Sequence, residues 1–170
     1  MSRLGLRVSE VVGHEKREGG GLRLEDVDLS TGKLTIRDAK DGRKKKSKKA
    51  KAGRVLYAAN GTLDALRLYW EDRSKIEAPT DHFFVTGKGT PIAPAFVRQM
   101  LKRYADRIGL PAHKSHPHAL RHTFGTELYR STKDLRLVQT VMGHSSPQVT
   151  QIYAHISGSD VMDALREFQK

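Results

Sequence analysis

Apolar residues near the start of this 170-residue chain alternate with polar ones, in the two-residue period of a β-strand. Leu34 and Ile36 alternate with three polar residues in this way, which predicts a strand after a turn at 30–32. The segment 54–58, which is apolar after Arg54, has the composition of a return strand. Together these segments predict a β-hairpin with a long, lysine-rich tip.

From position 62 onward the apolar spacing follows the three-to-four-residue period of amphipathic helices. Thr62 is a candidate N-cap for the first helix, and Pro117 suits the first turn of a later one. Helices are predicted at 62–70, 95–108, 117–128, 135–142, 147–153 (after an N-cap at Ser146) and 160–168. On the second helix the apolar residues share one face: Phe96, Val97, Met100, Leu101, Tyr104 and Ile108. With a strand-like run at 82–86 and the end of an apolar helix at 4–12, the sequence predicts a mainly helical domain with a small sheet near its start.

Composition narrows the class of protein. The length fits one domain, and a mean hydropathy of −0.58 leaves no surplus of apolar residues. No cysteine is present, which excludes disulfides, thiol catalysis and cysteine-ligated zinc. No apolar run approaches the roughly 20 residues that a membrane-spanning helix needs. A net charge of +12 therefore favours a soluble, intracellular protein with a polyanionic partner.

The positive charge is concentrated in one segment. Nine basic residues and one acidic residue lie between Lys40 and Arg54, so most of the net charge is in this loop. Candidate DNA-binding residues in it are Arg43, Lys44, Lys45, Lys46, Lys48 and Lys49. The segment could equally be a solvated, mobile loop or a localisation signal, and charge alone does not choose among these.

Four histidines cluster around an arginine; the group consists of His113, His116, His118, Arg121 and His122. A metal site is one interpretation, because His118 and His122 would share a helix face. The positive charge of Arg121 would repel a bound metal cation. A second interpretation is that the histidines cap helices or pack in the core. The third is an oxyanion site, since His118 and Arg121 can face one point near the start of a helix, where anions are favoured.

Two residues farther along extend this oxyanion site. His144 follows Gly143, which would let a helix stop sharply and present the imidazole. Tyr153 comes nine residues later. Near two arginines and a histidine, its phenol would have the nearby positive charge and the proton acceptor that a nucleophile needs.

Five segments of the chain resemble the sequence boxes of the tyrosine recombinases, or phage-type integrases. The segments 118–124, 141–146 and 150–155 resemble the central, Met-Gly-His and tyrosine boxes of that family, in the same order and spacing. The segment 5–10 resembles its first arginine box, and 36–42 resembles the hairpin that supplies its catalytic lysine. The resemblance runs from about Leu4 to His155. It implies an α+β, mainly helical, tyrosine recombinase catalytic-domain fold with a small antiparallel sheet near the N-terminus.

The resemblance also implies a reaction and roles for the residues that transfer protons. Tyr153 would attack a DNA phosphodiester, form a 3′-phosphotyrosine link and release a 5′-hydroxyl. Lys40 would protonate the leaving oxygen, although Lys44, Lys45 and Lys46 lie close enough to compete. His118 would help to move the tyrosine proton. No metal and no cofactor is expected.

Further roles concern the phosphate. Arg7 and Arg121 would hold its non-bridging oxygens, and His144 would hydrogen-bond to it. Glu10 would support Arg7 and the hairpin rather than act in the chemistry. This constellation favours a site-specific recombinase or integrase of a phage, plasmid or integrative element. A type IB topoisomerase, a DNA-binding module that does not cleave and a polybasic structural domain are the alternatives.

The expected partners are double-stranded DNA and further copies of the chain. Family members work as tetramers, and the segment 160–168 could dock on a neighbouring subunit. No membrane is expected, and the expected location is cytoplasmic, in a prokaryotic or phage-encoded protein acting on the nucleoid. The whole of 1–170 is interpreted as a catalytic domain, truncated at its N-terminus, without the family's separate N-terminal DNA-binding domain. The segment 14–21 resembles an insertion.

Overall fold

The alternating residues near the start form the middle strand of a three-stranded antiparallel sheet. A computed structural model of the chain describes residues 3–14, 20–37 and 53–143. Its strands, in spatial order, are β1 (Val27–Asp28), β2 (Lys33–Ile36) and β3 (Arg54–Tyr57). Leu34 pairs with Leu56 and Ile36 with Arg54. The predicted hairpin is therefore confirmed, while its lysine-rich tip lies outside the described residues.

The turn between β1 and β2 is held by one aspartate. The carboxylate of Asp28 accepts hydrogen bonds from the hydroxyl and backbone N–H groups of Ser30 and Thr31. These bonds, the Ser30 hydroxyl first, hold the pKa of Asp28 well below its ordinary value. Gly32 completes the turn at φ +74°, a conformation that other residues adopt only with strain.

Helices supply most of the remaining structure. They are α1 (Val8–Val12), α2 (Asn60–Arg73), α3 (Pro94–Arg107), α4 (Pro117–Thr132) and α5 (Leu135–Met142), with short 3₁₀ turns at Leu24–Asp26 and Ala112–Lys114. The prediction that Thr62 is an N-cap is wrong. The Thr62 amide donates to the carbonyl of Ala59, which is the actual N-cap, so Thr62 lies inside the first turn of α2. The predicted helices at 147–153 and 160–168, with the Ser146 cap, lie outside the described residues.

Contacts divide the chain after Phe124 into two compact units. The core of the first unit is built from the sheet, the start of the chain and the segment after α2. Its buried apolar residues are Leu6, Val12, Leu22, Leu34, Ile36, Leu56, Ala58, Phe83, Val85 and Ala105. Phe83 stacks on Trp70 of α2 with 5.9 Å between ring centroids. The strand-like run at 82–86 forms only isolated bridges, which join Arg23 to His82 and Val85 to Pro91.

The apolar face predicted for α3 is largely in solvent. Phe96, Tyr104 and Ile108 are 53%, 56% and 76% exposed, whereas Pro94 and Ala105 are buried. The buried side of the helix is therefore centred on smaller residues, next to the large apolar ones. Helical periodicity identifies a face, but packing decides which part of it meets the core.

The second unit is described from Gly125 to Gly143. Its helix α5 is capped at its start by Asp134, whose side chain accepts from the amides of Arg136 and Leu137 at 2.8 and 3.0 Å. Val138 and Met142 are fully buried. Gly143 ends the helix at φ +61°, the sharp stop that the sequence predicted. Over the described ranges, 3–14, 20–37 and 53–143, no helix is long and apolar enough to cross a membrane.

Candidate functional site

A buried carboxylate, that of Glu10, lies where three arginines meet. Glu10 is 4% exposed and occupies the third position of α1. Its Oε2 accepts from the backbone N–H of Arg7 at 2.7 Å, and its Oε1 accepts from Arg7 Nη1 at 2.9 Å. The three-residue spacing along one helical turn permits both bonds. Arg7 is thereby fixed at its backbone and at its guanidinium by one side chain.

The second arginine comes from the sheet. Arg54, the first residue of β3, donates from Nη1 to Glu10 Oε1 at 2.9 Å and from Nη2 to Oε2 at 3.0 Å. This is a bidentate pair, in which the planar fork of arginine matches the two carboxylate oxygens. It joins the helix α1 to the sheet.

The third arginine comes from α4. Arg121 is 5% exposed, and its Nη1 lies 3.8 Å from Glu10 Oε2 while donating a short hydrogen bond to the carbonyl of Gly5. Three guanidinium groups thus surround one carboxylate, which leaves a formal excess of two positive charges among these four residues. A concentration of positive charge of this kind favours an anion such as a phosphate.

The ionisation of Glu10 follows from these contacts. Burial alone would raise the pKa of Glu10, because it penalises the charged form. The hydrogen bonds and positive charge of Arg54, and then those of Arg7, outweigh burial and lower the pKa below its ordinary value of 4.5. Glu10 is therefore ionised at neutral pH and acts as an acceptor only.

Histidines stand at the start of α4, one turn before Arg121. His116 precedes Pro117, and its Nδ1 accepts from the backbone N–H of Ala119 at 3.2 Å, which is the geometry of an N-cap. His118 lies in the first turn, exposed, with its ring 6.5 Å from that of His116. The packing and capping interpretation therefore applies to His116, and His118 presents its imidazole to solvent.

The structure brings some of the predicted site residues together. Arg7 and Arg121 contact the same carboxylate, and His118 shares a helix with Arg121. Lys40, His144 and Tyr153 lie outside the described residues, as does the basic tract of Arg43, Lys44, Lys45, Lys46, Lys48 and Lys49.

Two contributors were missed by the sequence analysis. Arg54 was counted only as the last residue of the basic tract, although its place at the start of a predicted return strand set it apart. The carbonyl of Gly5 carried no signal, since a backbone oxygen is present at every position. Within the part of the chain that the structure describes, no group of three histidine, cysteine, aspartate or glutamate side chains could hold a metal ion.

Comparison with known proteins identifies the family. The phage integrase family profile matches residues 1–159. The chain belongs to the phage integrase family. The matched range includes every predicted site residue from Arg7 to Tyr153, and the match confirms the family resemblance.

Relatives within the phage integrase family are tyrosine recombinases. The chain is 34% identical to tyrosine recombinase XerC of Thermodesulfovibrio yellowstonii, over 89% of this chain and 46% of that protein. It is 33% identical to a tyrosine recombinase of Agathobacter rectalis, over 95% of this chain and 47% of that protein. The chain thus spans about half the length of the curated relatives that it matches.

Solved structures of this family share the fold. The XerA recombinase superposes with a TM-score of 0.76 at 27% identity, covering 99% of this chain and 55% of that one. The XerH site-specific recombinase, bound to a palindromic difH substrate in a post-cleavage complex, gives 0.72 at 26% identity, covering 99% and 44%. The predicted tyrosine recombinase catalytic-domain fold, α+β and mainly helical, is confirmed.

Proposed function

We propose that this chain is the catalytic domain of a site-specific DNA recombinase, which cuts and rejoins DNA through a 3′-phosphotyrosine intermediate. The observation that carries the proposal is the convergence of Arg7 and Arg121 on Glu10, beside the start of α4 and its exposed His118. Family membership supplies the reaction class to which such a cluster of arginines is suited.

In the proposed reaction, the phenolic oxygen of Tyr153 attacks the phosphorus of a DNA phosphodiester. The bond from phosphorus to the 5′-oxygen breaks, and the DNA stays attached through a 3′-phosphotyrosine. His118 assists removal of the tyrosine proton, and Lys40 protonates the departing 5′-oxygen. Attack by the 5′-hydroxyl of another strand reverses these steps, so the phosphoester bond energy is retained and no metal or nucleotide is required.

The arginines act on charge. The pentavalent transition state carries more negative charge on its non-bridging oxygens than the ground state, and Arg7 and Arg121 would donate to these oxygens. Because Glu10 and the carbonyl of Gly5 already hold both guanidiniums, little reorganisation accompanies the reaction. Loss of either guanidinium should cost about 100-fold or more in cleavage rate, the usual range for one preorganised donor. His144 would add a further hydrogen bond to the phosphate.

The proposed substrate is double-stranded DNA. The net charge of +12 suits a polyanion, and the XerH neighbour is described as bound to its difH substrate. We also propose that four copies of the chain assemble on two duplexes, with the segment 160–168 docking on a neighbouring copy. The proposed place of action is the nucleoid. The assignment of 1–170 to a single catalytic domain also belongs to the proposal.

A covalent-capture experiment tests the proposal. Nicked suicide duplexes with randomised arms are incubated with the chain, and adducts that survive a denaturing gel are recovered and sequenced. Wild type and the surface control Tyr57→Phe should give an adduct, and Tyr153→Phe should give none. Binding without any adduct would replace the proposal with a non-cleaving DNA-binding module. Relaxation of supercoiled DNA carrying no enriched site would favour a topoisomerase instead.

A further inference from the structure

Arg54 holds the carboxylate to which the candidate phosphate-binding arginines are attached, without itself belonging to the predicted catalytic set. Its two nitrogens each contact one oxygen of Glu10, at 2.9 and 3.0 Å. We propose that Arg54 is a positioning residue, which orients the guanidinium of Arg7 toward the scissile phosphate by fixing the plane of the Glu10 carboxylate. This inference rests on the proposed function.

The geometry gives the direction of the effect. A bidentate pair sets the rotation of a carboxylate, whereas a single hydrogen bond leaves the carboxylate able to turn. Arg54 supplies such a pair from one planar group, whereas Arg7 supplies two separate bonds, from its backbone N–H at 2.7 Å and from Nη1 at 2.9 Å. Arg54 therefore adds to the restraint that the Arg7 backbone places on the Glu10 carboxylate, and the guanidinium of Arg7 is held by that carboxylate.

Burial separates the two arginines in the same way. The side chains of Glu10 and Arg54 are 3% and 16% exposed, while that of Arg7 is 32% exposed. Of these three side chains, Glu10 and Arg54 form the inner pair, and Arg7 is the one most open to solvent. Arg54 is also fixed by the sheet, because it pairs with Ile36, which is 1% exposed.

A purely structural ion pair would have a different consequence. A buried pair of charges contributes little net stability, and breaking it destabilises the whole fold. The rate of every reaction that needs folded protein would then decrease by the same factor. A positioning role instead affects the step in which Arg7 neutralises the phosphate, since a displacement of about 1 Å can cost 100-fold.

The test compares two suicide duplexes of one sequence that differ at the scissile phosphate. One carries the ordinary phosphodiester and the other a methylphosphonate, which lacks the negative charge that Arg7 neutralises. Arg54→Gln should slow cleavage of the phosphodiester about 10- to 100-fold and cleavage of the methylphosphonate less than about threefold. Arg54→Lys should recover only part of the loss, because an ammonium cannot form the bidentate pair.

The matched control is Arg37→Gln. Arg37 also pairs with two carboxylates, those of Glu25 and Asp26, at the end of β2, but it does not contact Glu10. This variant should cleave both duplexes at the wild-type ratio. Equal losses on both duplexes for Arg54→Gln, among molecules shown by circular dichroism to be folded, would overturn the positioning role.

A second measurement is independent of cleavage. The side-chain Nε–Hε signal of Arg7 in the ¹⁵N NMR spectrum should shift and lose order in Arg54→Gln but not in Arg37→Gln. An unchanged Arg7 signal would overturn the inference even for an active enzyme. If wild type forms no adduct while the signal responds as expected, the proposed function fails and the linkage from Arg54 to Arg7 stands.

Discussion

The guanidinium of Arg121 donates to the carbonyl oxygen of Gly5, 116 positions earlier in the chain. Phe124, three residues after Arg121, lies over the same glycine: a Cβ added to Gly5 would be 2.5 Å from its ring. Gly5 also has φ +60°. The helix α4 thus holds the start of the chain at two points, and this contact brings Arg7 next to Arg121.

Gly5→Ala should therefore lower the free energy of unfolding by about 3 kcal/mol. Positive φ costs alanine roughly 1 kcal/mol, and the clash with Phe124 adds about 1–3 kcal/mol, as overpacking does. Urea denaturation followed by circular dichroism measures the change.

Two other glycines separate these contributions. Gly109 has φ +67° with no atom within 4 Å of an added Cβ, and Gly87 has neither the positive φ nor a neighbour. Gly109→Ala should show the backbone cost alone, and Gly87→Ala should be close to neutral. If Gly5→Ala were no worse than Gly109→Ala, the close approach of Phe124 would be refuted.

Glu10→Gln should destabilise the protein in a pH-dependent manner. At pH 7 the loss should be about 3 kcal/mol, because three arginines lose a shared buried anion. The folded-state pKa of Glu10 is lowered, so its ionic contribution is complete above about pH 4.5 and is lost as the pH falls through that lowered value. The difference in unfolding free energy between wild type and variant should therefore shrink on acidification below pH 4.5.

Parallel urea titrations from pH 3 to pH 8 provide the measurement. Protonation of Asp28 in acid also destabilises the fold, but Asp28 is present in both proteins, so its effect cancels from the difference in unfolding free energy. Glu71→Gln, an exposed change on α2, serves as the control and should give a difference near zero throughout. A Glu10→Gln difference that did not vary with pH would contradict an ionised Glu10.

Capping by His116 predicts an ordered series of variants. His116→Ala should cost about 1 kcal/mol, since the Ala119 amide loses its side-chain acceptor, and His116→Ser should retain most of the stability. His113→Ala, at an exposed histidine of the preceding 3₁₀ turn, should have little effect. Thermal unfolding of the three variants gives the comparison, and an equal cost for alanine and serine would argue against a cap.

The lysine-rich segment predicts the salt dependence of DNA binding. Deletion of residues 44–51 removes six lysines. The loss of each one that contacts a phosphate should make the negative slope of log K against log salt about 0.9 less steep. A fluorescence-anisotropy series between 50 and 300 mM salt measures this slope. Lys75→Gln, at an exposed lysine that follows α2 and pairs with Asp72, should leave the slope unchanged. An unchanged slope for the deletion would make the tract a solvated loop.

Local sequence determined the elements, and packing determined which of their faces are buried. Leu34 and Ile36 alternate with polar neighbours, so strand β2 and its burial were predictable, and Gly143 marked the end of α5. The exposed Phe96 and Tyr104 were not predictable, because the period of α3 allows more than one apolar face to meet the core. Thr62 has the side chain of a capping residue but lies inside the first turn of α2, a position that its residue type alone does not distinguish from the N-cap.

For the candidate site, the sequence by itself identified the family, and the resemblance to that family predicted a reaction class and roles for Arg7 and Arg121. Only the tertiary structure showed that Arg54 binds the same carboxylate, that of Glu10, and that Arg121 donates to the carbonyl of Gly5. The physical reason is that a hydrogen bond across 44 or 116 positions depends on where strands and helices pack, which no local pattern encodes. The sequence thus supplies the chemical groups, and their shared contacts with Glu10 form only when the chain folds.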